Sequence, residues 1–178
     1  MSESVKLWSK DVSSHAFVDF YCSAGDIVLD QQLVAYDVYG TIAHVQALAV
    51  AGVVSEAELK QIHYQLVTIL EQYEQGKYVL RPRDEDVHTR IENDITRQLP
   101  ELGGKIHTAR SRNDQILVDM RLFTKDKAIS LALQALELAC DFKKYAERHQ
   151  SVVMPGYTHM QPAMLSSVGL WASQFAES

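Results

Sequence analysis

The sequence predicts an all-α protein, with an N-terminal helical domain over residues 1–112 and the beginning of a long helical bundle over residues 113–178. Three observations predict this fold class. Apolar residues recur at steps of three and four in every long segment, and no segment shows sustained alternation of apolar and polar residues. The third observation is a helical pattern from about Asn113 to His149, which predicts a helix of about 55 Å, far longer than the usual globular helix.

The composition is that of an ordinary globular protein. Its 178 residues are 47% apolar and 22% charged, enough for one substantial core. A net charge of −6 argues against a nucleic-acid partner, because only residues 81–83 and 105–112 are locally basic. The N-terminal segment lacks a signal-peptide core, no apolar run is long enough to span a bilayer, and Cys22 and Cys140 are isolated. We therefore expect a cytoplasmic protein with no membrane partner.

The first two helices are predicted between residues 24 and 76. Apolar spacing begins near residue 24 and continues to residue 52, with Asp26 as the expected N-cap. Asp30 then falls in the first turn, where the helix dipole favours an acid. Ser55 and Glu58 have the spacing of a capping box and predict the start of the second helix.

A third helix is predicted from about residue 85 to residue 100. Val87, Ile91 and Ile95 repeat at four-residue spacing and define its inner face. His88 lies one residue off that face. A capped amphipathic helix with a semi-exposed histidine therefore explains this segment without any functional role.

The stretch GGKIHTARSRNDQ, residues 103–115, places three cations, one histidine and one acid within thirteen residues. Its glycine pair permits the backbone angles of a loop that wraps a ligand. Ser111 and Asp114 predict a helix start, so Arg110 and Arg112 should lie beside exposed backbone N–H groups. Two guanidiniums at a helix N-terminus suit a carboxylate or a phosphate. The alternative is a solvated, capped helix entry whose arginines form surface salt bridges.

The long helix that follows carries apolar residues on more than one face, which predicts burial on several sides. A chain of this length has too few other elements to cover such a helix, so we expect a homo-oligomeric bundle. A break near residue 152, a polar turn over residues 157–162 and another apolar helix from Leu165 complete the pattern. Because the sequence stops inside that last pattern, we expect a fragment of a longer polypeptide.

Three separated motifs carry a resemblance to a known family. EDVHTRIE, GGKIHTARSRNDQ and MPGYTHMQPA occur in this order, and together they resemble the argininosuccinate lyases of the fumarase/aspartase superfamily. The resemblance extends from about Leu7 to Ser178. It implies elimination of arginine from argininosuccinate to give fumarate, with no metal or other cofactor, in a homotetramer.

The resemblance also implies site residues. Arg112 and Asn113, with Ser111 beside them, match the substrate-binding motif. Thr158 and His159 match a second motif, in which the threonine binds a substrate carboxylate and the histidine takes part in proton transfer. The alternative for this second pair is a turn with a backbone-bonded hydroxyl.

Two further positions are implied with less support from the residues themselves. Asp30 matches an acid of the substrate site, and His88 matches a histidine near the active site. Asp26 stands where the family usually has a small hydroxyl residue, so the contact expected from that position is in question.

Two other functions fit the same motifs. One is a non-catalytic structural protein on the same scaffold, as in lens crystallins, and the other is a sister lyase acting on adenylosuccinate or fumarate. The run ARSRND argues against the sister lyase. The superfamily's serine- and lysine-containing loop, which supplies the general base, does not occur in these residues. Each active site of the superfamily combines segments of three subunits, so we expect no turnover by the fragment alone.

Overall fold

The structure, a computed structural model, describes residues 16–81 and 84–177. The N-terminal segment, part of the first basic stretch and the last residue lie outside the described residues. The all-α prediction is confirmed, with one small antiparallel hairpin in addition. The helices and strands are α1 (Ala16–Asp30), α2 (Val34–Val50), α3 (Glu56–Glu74), α4 (Val87–Gln98), α5 (Arg112–Arg148), β1 (Val153–Thr158), β2 (Gln161–Ser167) and α6 (Val168–Glu177). Short 3₁₀ turns lie at Gln31–Leu33 and Gly103–His107.

The chain divides into two compact units, and the division falls inside α5, between Phe123 and Thr124. The predicted domain boundary after residue 112 stays a prediction. In the first unit, α2 packs against α3 and α4. Val34, Ile62 and Ile95 are fully buried between these helices, each contributing about 1.5–3 kcal/mol by burial. This core supports the first two motifs, EDVHTRIE at α4 and GGKIHTARSRNDQ at the start of α5.

The expected start of the first helix is wrong. Asp26 lies inside α1 and is therefore not its N-cap, and Asp30 is the last residue of α1 instead of a first-turn acid. The apolar spacing continues through a 3₁₀ turn into α2, which explains why the two helices read as one pattern. The stretch Gly25–Val50 has the length and mean hydropathy, 1.2, that would allow a membrane crossing. We interpret it as core, because it carries the buried Asp37, a costly residue in lipid.

The start of α3 is as predicted, and α4 begins at Val87, two residues after the predicted start near residue 85. The Ser55 hydroxyl accepts from the Glu58 N–H, and the Glu58 carboxylate accepts from the Ser55 N–H, so the capping box is confirmed. Val87, Ile91 and Ile95 are buried on the inner face of α4, also as predicted. These helices need no tertiary information to begin where they do, because their caps satisfy the free N–H groups of the first turn.

The glycine pair before α5 has a different role from the one expected. Neither glycine has a positive φ among the described residues. A Cβ on Gly103 would lie 2.0 Å from the Thr96 Oγ1 and 2.6 Å from the Thr96 Cα, whereas Gly104 faces open space. Gly103 is therefore required for close packing of the 3₁₀ turn on α4.

The second unit contains the rest of α5, the hairpin and α6. Val153–Thr158 pairs with Gln161–Ser167, and Thr158 lies opposite Gln161. The expected helix from Leu165 is wrong in its start, because α6 begins at Val168. Most side chains of both strands are exposed, so the hairpin produces none of the apolar alternation that indicates a half-buried strand.

The outer part of α5 is exposed in the single chain instead of buried on several sides. Its apolar residues in the second unit have large exposed fractions, from 53 to 68%: Ile129, Leu131, Leu133, Leu136 and Leu138. Near its end, α5 packs on α6 through the stacked rings of Phe142 and Phe175, whose centroids are 5.3 Å apart. The predicted burial of the other apolar residues of α5 therefore requires the predicted oligomer, which stays a prediction.

Candidate active site

The N-terminus of α5 is built by the polar cluster, as its sequence predicts. The Ser111 N–H donates to the Asp114 Oδ2 at 2.9 Å, and the Asn113 N–H donates to the Ser111 Oγ at 3.1 Å. Ala109, before the helix, has a φ of 57°, a conformation that is uncommon for residues other than glycine. Ser111 and Asn113 are exposed. The helix entry therefore presents a hydroxyl and an amide to solvent beside the positive end of the dipole.

Arg112 is held from the side by the first turn of α4. Its guanidinium donates to the Asp86 Oδ2 through Nη1, and to the Thr89 Oγ1 through Nη2 at 3.0 Å. Asp86 is also the N-cap of α4, since its Oδ1 accepts from the Thr89 N–H at 2.7 Å. One carboxylate thus caps α4 with one oxygen and orients Arg112 with the other.

Asp30 reaches the same turn from α1. Its Oδ2 accepts from the Val87 N–H at 3.2 Å, so it interacts with the N-terminus of α4 and not of its own helix. Burial raises the pKa of Asp30, and the nearby charge of Asp86 acts in the same direction. The structure therefore brings Asp30, Asp86 and Arg112 together around one helix start.

His88 is buried, with only 4% of its side chain exposed, so the interpretation as a semi-exposed surface histidine is wrong. Its Nδ1 lies 2.9 Å from the Asp37 Oδ2 and 3.7 Å from the Asp119 Oδ2. Because a carboxylate only accepts, we assign the proton to Nδ1. Asp37 and Asp119 come from α2 and α5 and are each 1% exposed. The histidine of α4 thus joins three helices.

A second set of contacts ties the loop before α5 to α2. The Thr41 hydroxyl donates to the Asp37 Oδ1 at 3.0 Å and accepts from the Arg110 Nη2 at 3.3 Å. The His44 Nε2 lies 2.9 Å from the Thr108 carbonyl oxygen and donates to it. We call Asp37, Thr41, His88, Arg110 and Asp119 the buried polar cluster. Through Arg110 and Thr41, it ties the segment that leads into Ser111–Asn113 to α2.

Burial and charge shift the titrations within this cluster. Burial raises the pKa of Asp119 to about 7, and the neighbouring charge of Asp37 adds to the rise. Burial alone would lower the pKa of His88, but the hydrogen bond and charge of Asp37 raise it above its ordinary value. Burial lowers the pKa of Arg110, which stays charged. Asp119 and His88 therefore keep their protons to a higher pH than the same groups would in solvent.

Asp37, His88 and Asp119 are the described residues whose ligand atoms lie close enough, within 4.8 Å of one another, to hold a metal ion. We interpret them as an ion network. The Arg110 guanidinium already supplies a positive charge to both carboxylates, and His88 donates to Asp37. A cation would have to displace that hydrogen bond and tolerate the guanidinium.

A cavity of about 370 Å³ lies beside this cluster in the first unit. Gly40 and His44 of α2 form one wall, and Arg110, Gln115 and Asp119 form the other. The Gln115 Oε1, the Arg110 Nε and the Asp119 Oδ2 are buried and have no hydrogen-bond partner among the described residues. Because these three atoms are buried, solvent in the cavity does not reach them.

Thr158 and His159 lie in the second unit, at the tip of the hairpin, and both are exposed. His159 and Met160 are the two central residues of the turn and have φ of 49° and 63°, the sign that a type I′ turn requires. Methionine tolerates this region poorly, and such strain is typical of functional sites. Neither side chain of the pair forms a hydrogen bond within the described part of its unit. The alternative interpretation, a turn in which the Thr158 hydroxyl bonds to the backbone, therefore has no support from these contacts.

Sequence reasoning missed Asp37, Thr41, Asp86, Thr89 and Asp119. A signal existed for four of them. Asp37 and Thr41 occupy positions of the apolar stripe of α2, where a polar residue requires a partner. Asp86 precedes Val87 and Thr89 follows two residues later, which is N-cap spacing. Asp119 gave no signal, because it lies off the apolar pattern of α5.

Comparison with known proteins decides the family. A family model described as Lyase matches residues 12–178. The chain belongs to this lyase family. Within the lyase family, it is similar to proteins named argininosuccinate lyase. It is 44% identical to that of Sorangium cellulosum over 174 residues, and 39% identical to that of Bacteroides thetaiotaomicron over 173 residues. The one from Xylella fastidiosa is 40% identical over 173 residues.

These alignments cover 98%, 97% and 97% of this lyase-family chain, respectively. They cover 40%, 39% and 39% of the relatives. The chain thus spans about two fifths of the length of the curated relatives it matches.

Proposed function

We propose that this chain carries part of an argininosuccinate lyase, which eliminates arginine from argininosuccinate to give fumarate. The observation that carries the proposal is the N-terminus of α5. Ser111 and Asn113 are exposed there beside Arg112, whose guanidinium is held by Asp86 and Thr89. A dicarboxylate substrate suits this combination of a fixed cation, a helix dipole and neutral hydrogen-bonding side chains.

The chemistry explains why such a site is useful. A base removes a proton beside a carboxylate of the substrate, and an acid protonates the departing guanidinium nitrogen. The carbanion that forms between these steps spreads its charge onto the adjacent carboxylate. Preorganised donors around that carboxylate lower the barrier, because they need no rearrangement as the charge develops. Arg112, Asn113 and the N–H groups of α5 are the proposed donors.

Thr158 and His159 are proposed as the second contribution to the site. The exposed turn presents a hydroxyl that can bind a carboxylate and an imidazole that can transfer a proton. Asp30 and His88 are proposed to act at the edge of the substrate site. Asp30 is bound to the start of α4 and His88 to Asp37, so both support the position of Arg112 and its neighbours.

We propose that the full protein is a cytoplasmic homotetramer in which different subunits complete each active site. The exposed leucines of α5 support the association, because a surface of this kind is a liability in a monomer. The proposal implies that residues 1–178 alone do not turn over argininosuccinate.

Two variants of the complete enzyme test the proposal. His159→Asn should lower kcat by roughly 10²- to 10⁴-fold, the usual contribution of acid–base catalysis, with little change in KM. Arg112→Ala should lower kcat and raise KM together, since its guanidinium contacts a carboxylate in both the ground state and the transition state. Fumarate formation is the readout, and His63→Asn at an exposed position of α3 is the matched control. Normal turnover of argininosuccinate by both variants would refute the proposed site.

A further inference from the structure

We propose that Asp86 and Thr89 are positioning residues that set the orientation of Arg112 for substrate binding. This inference rests on the proposed function, in which Arg112 contacts a substrate carboxylate. It concerns two residues that would not themselves touch the substrate. The geometry that supports it is the double attachment of one guanidinium to the first turn of α4.

Two separate contacts constrain the Arg112 side chain. An arginine on a helix surface is free to rotate about several bonds, and ordering it costs about 1.5–2 kcal/mol of side-chain entropy. Here Nη1 is held by the Asp86 Oδ2 and Nη2 by the Thr89 Oγ1, at 3.0 Å in the second case. Two different nitrogens bound to two different groups fix both the position and the plane of the guanidinium.

The two groups that hold the Arg112 guanidinium are themselves rigid. Asp86 is itself fixed, because its Oδ1 accepts from the Thr89 N–H at 2.7 Å. Thr89 is 1% exposed and has no room to rotate. Asp30 accepts from the Val87 N–H in the same turn, so this helix start is anchored to α1 as well. Asp86 and Thr89 are therefore fixed in place, and they hold the Arg112 guanidinium in one position.

Part of the Arg112 guanidinium remains available for a ligand. Arg112 keeps 30% of its side chain exposed and Asp86 keeps 22%. A guanidinium carries five N–H donors, and the two contacts use two of them. The remaining donors are therefore available to a carboxylate, which would bind to an arginine already placed and oriented. Preorganisation of this kind increases affinity because the ordering cost is met during folding.

Suitable substitutions separate the orientation of Arg112 by Asp86 from the capping of α4 by the same residue. Asparagine caps a helix as well as aspartate does. Asp86→Asn therefore keeps an oxygen for the Thr89 N–H but removes the charge that holds Arg112. Asp86→Ala removes both functions. The same logic applies to Thr89, because Thr89→Ser keeps the hydroxyl and Thr89→Val removes it at nearly constant shape.

The experiment is a double-mutant cycle in the complete enzyme, with argininosuccinate as substrate. We expect Asp86→Asn and Thr89→Val each to lower kcat/KM by about tenfold, which corresponds to about 1.4 kcal/mol. Thr89→Ser should restore most of the loss. In an Arg112→Ala background, Asp86→Asn should have little further effect, because it acts through the residue that is now missing. Asp141→Asn, which alters an exposed ion pair of α5, is the matched control.

The outcomes are distinguishable. If Arg112→Ala has normal activity, the proposed function of this helix entry is wrong, and the inference falls with it. If Arg112→Ala is impaired but Asp86→Asn and Thr89→Val are normal, only the positioning role is wrong. Additive losses in the cycle would also overturn it. If Asp86→Asn does not fold, the comparison of Thr89→Val with Thr89→Ser decides the question.

Discussion

Asp119→Asn should change how the stability of the first unit depends on pH. The Asp119 carboxylate is 1% exposed and lies 3.7 Å from the His88 Nδ1, and Asp37, Asp30 and Arg110 also act on it. Burial raises its pKa from the ordinary 3.8 to about 7. In the unfolded chain it therefore loses its proton near pH 4, and in the folded chain near pH 7.

The sign follows from these two values. Between them the folded state holds a proton that the unfolded state has lost, so the free energy of unfolding falls as the pH rises. The contribution is complete below about pH 4 and lost above about pH 7. At about 1.4 kcal/mol for each tenfold change in proton affinity, a pKa rise from 3.8 to about 7 corresponds to about 4 kcal/mol. The effective dielectric constant around buried charges in proteins is higher than that of a dry interior, so the net effect is smaller, and we expect about 2 kcal/mol.

An asparagine at this position cannot titrate, so it should lack this loss of stability. His88 acts in the same direction, since its raised pKa adds stability that is complete below its ordinary pKa and lost as the pH rises through the folded value. Removing Asp119 reduces that shift as well. The variant should therefore gain stability relative to the natural chain as the pH increases.

Urea unfolding followed by circular dichroism at about pH 4.5 and about pH 8 measures the effect. We expect the stability of Asp119→Asn relative to the natural chain to be about 2 kcal/mol more favourable at the higher pH. Asp141→Asn, at an exposed ion pair of α5, should show no such difference. A stability difference for Asp119→Asn that is the same at both pH values would refute the reasoning, because it would show that the carboxyl titrates alike in both states.

Two further predictions concern the elements that hold the site. Gly103→Ala should destabilise the fold by about 1–3 kcal/mol, because its Cβ would overlap Thr96, whereas Gly104→Ala, which meets open space, should be nearly neutral in thermal unfolding. Ser55→Ala should lower the free energy of unfolding by about 1 kcal/mol, measured by chemical unfolding, because α3 loses its cap. Ser55→Asp keeps a capping oxygen and should retain most of the stability. An equal loss of stability in both variants would exclude capping as the cause.

The starts of α3 and α5 were predictable because they are local. Ser55 and Glu58 lie three residues apart, as do Ser111 and Asp114, and both pairs satisfy free N–H groups of a first turn. The inner face of α4 followed from four-residue spacing in the same way. Such signals depend on backbone geometry that repeats within one turn.

The hairpin was not predictable from spacing. Its strands are exposed on both faces, so neither face is selected to be apolar, and the left-handed turn at His159 and Met160 contains no glycine to indicate it. The motif around Thr158 indicated a role, but its backbone conformation came only from the structure.

The sequence by itself thus determined the helical class, the starts of α3 and α5 and the family motifs, whose information lies within a few neighbouring residues. Only the tertiary structure decided how those motifs are supported. Asp37 and His88 are 51 residues apart in the sequence but 2.9 Å apart in the fold. On α5 the tertiary contacts bury the polar Gln115 and Asp119 and leave Ile116 exposed, the reverse of what an apolar stripe predicts. The reason is physical: spacing along a helix defines its faces, whereas the partner of each face depends on the packing of segments distant in sequence.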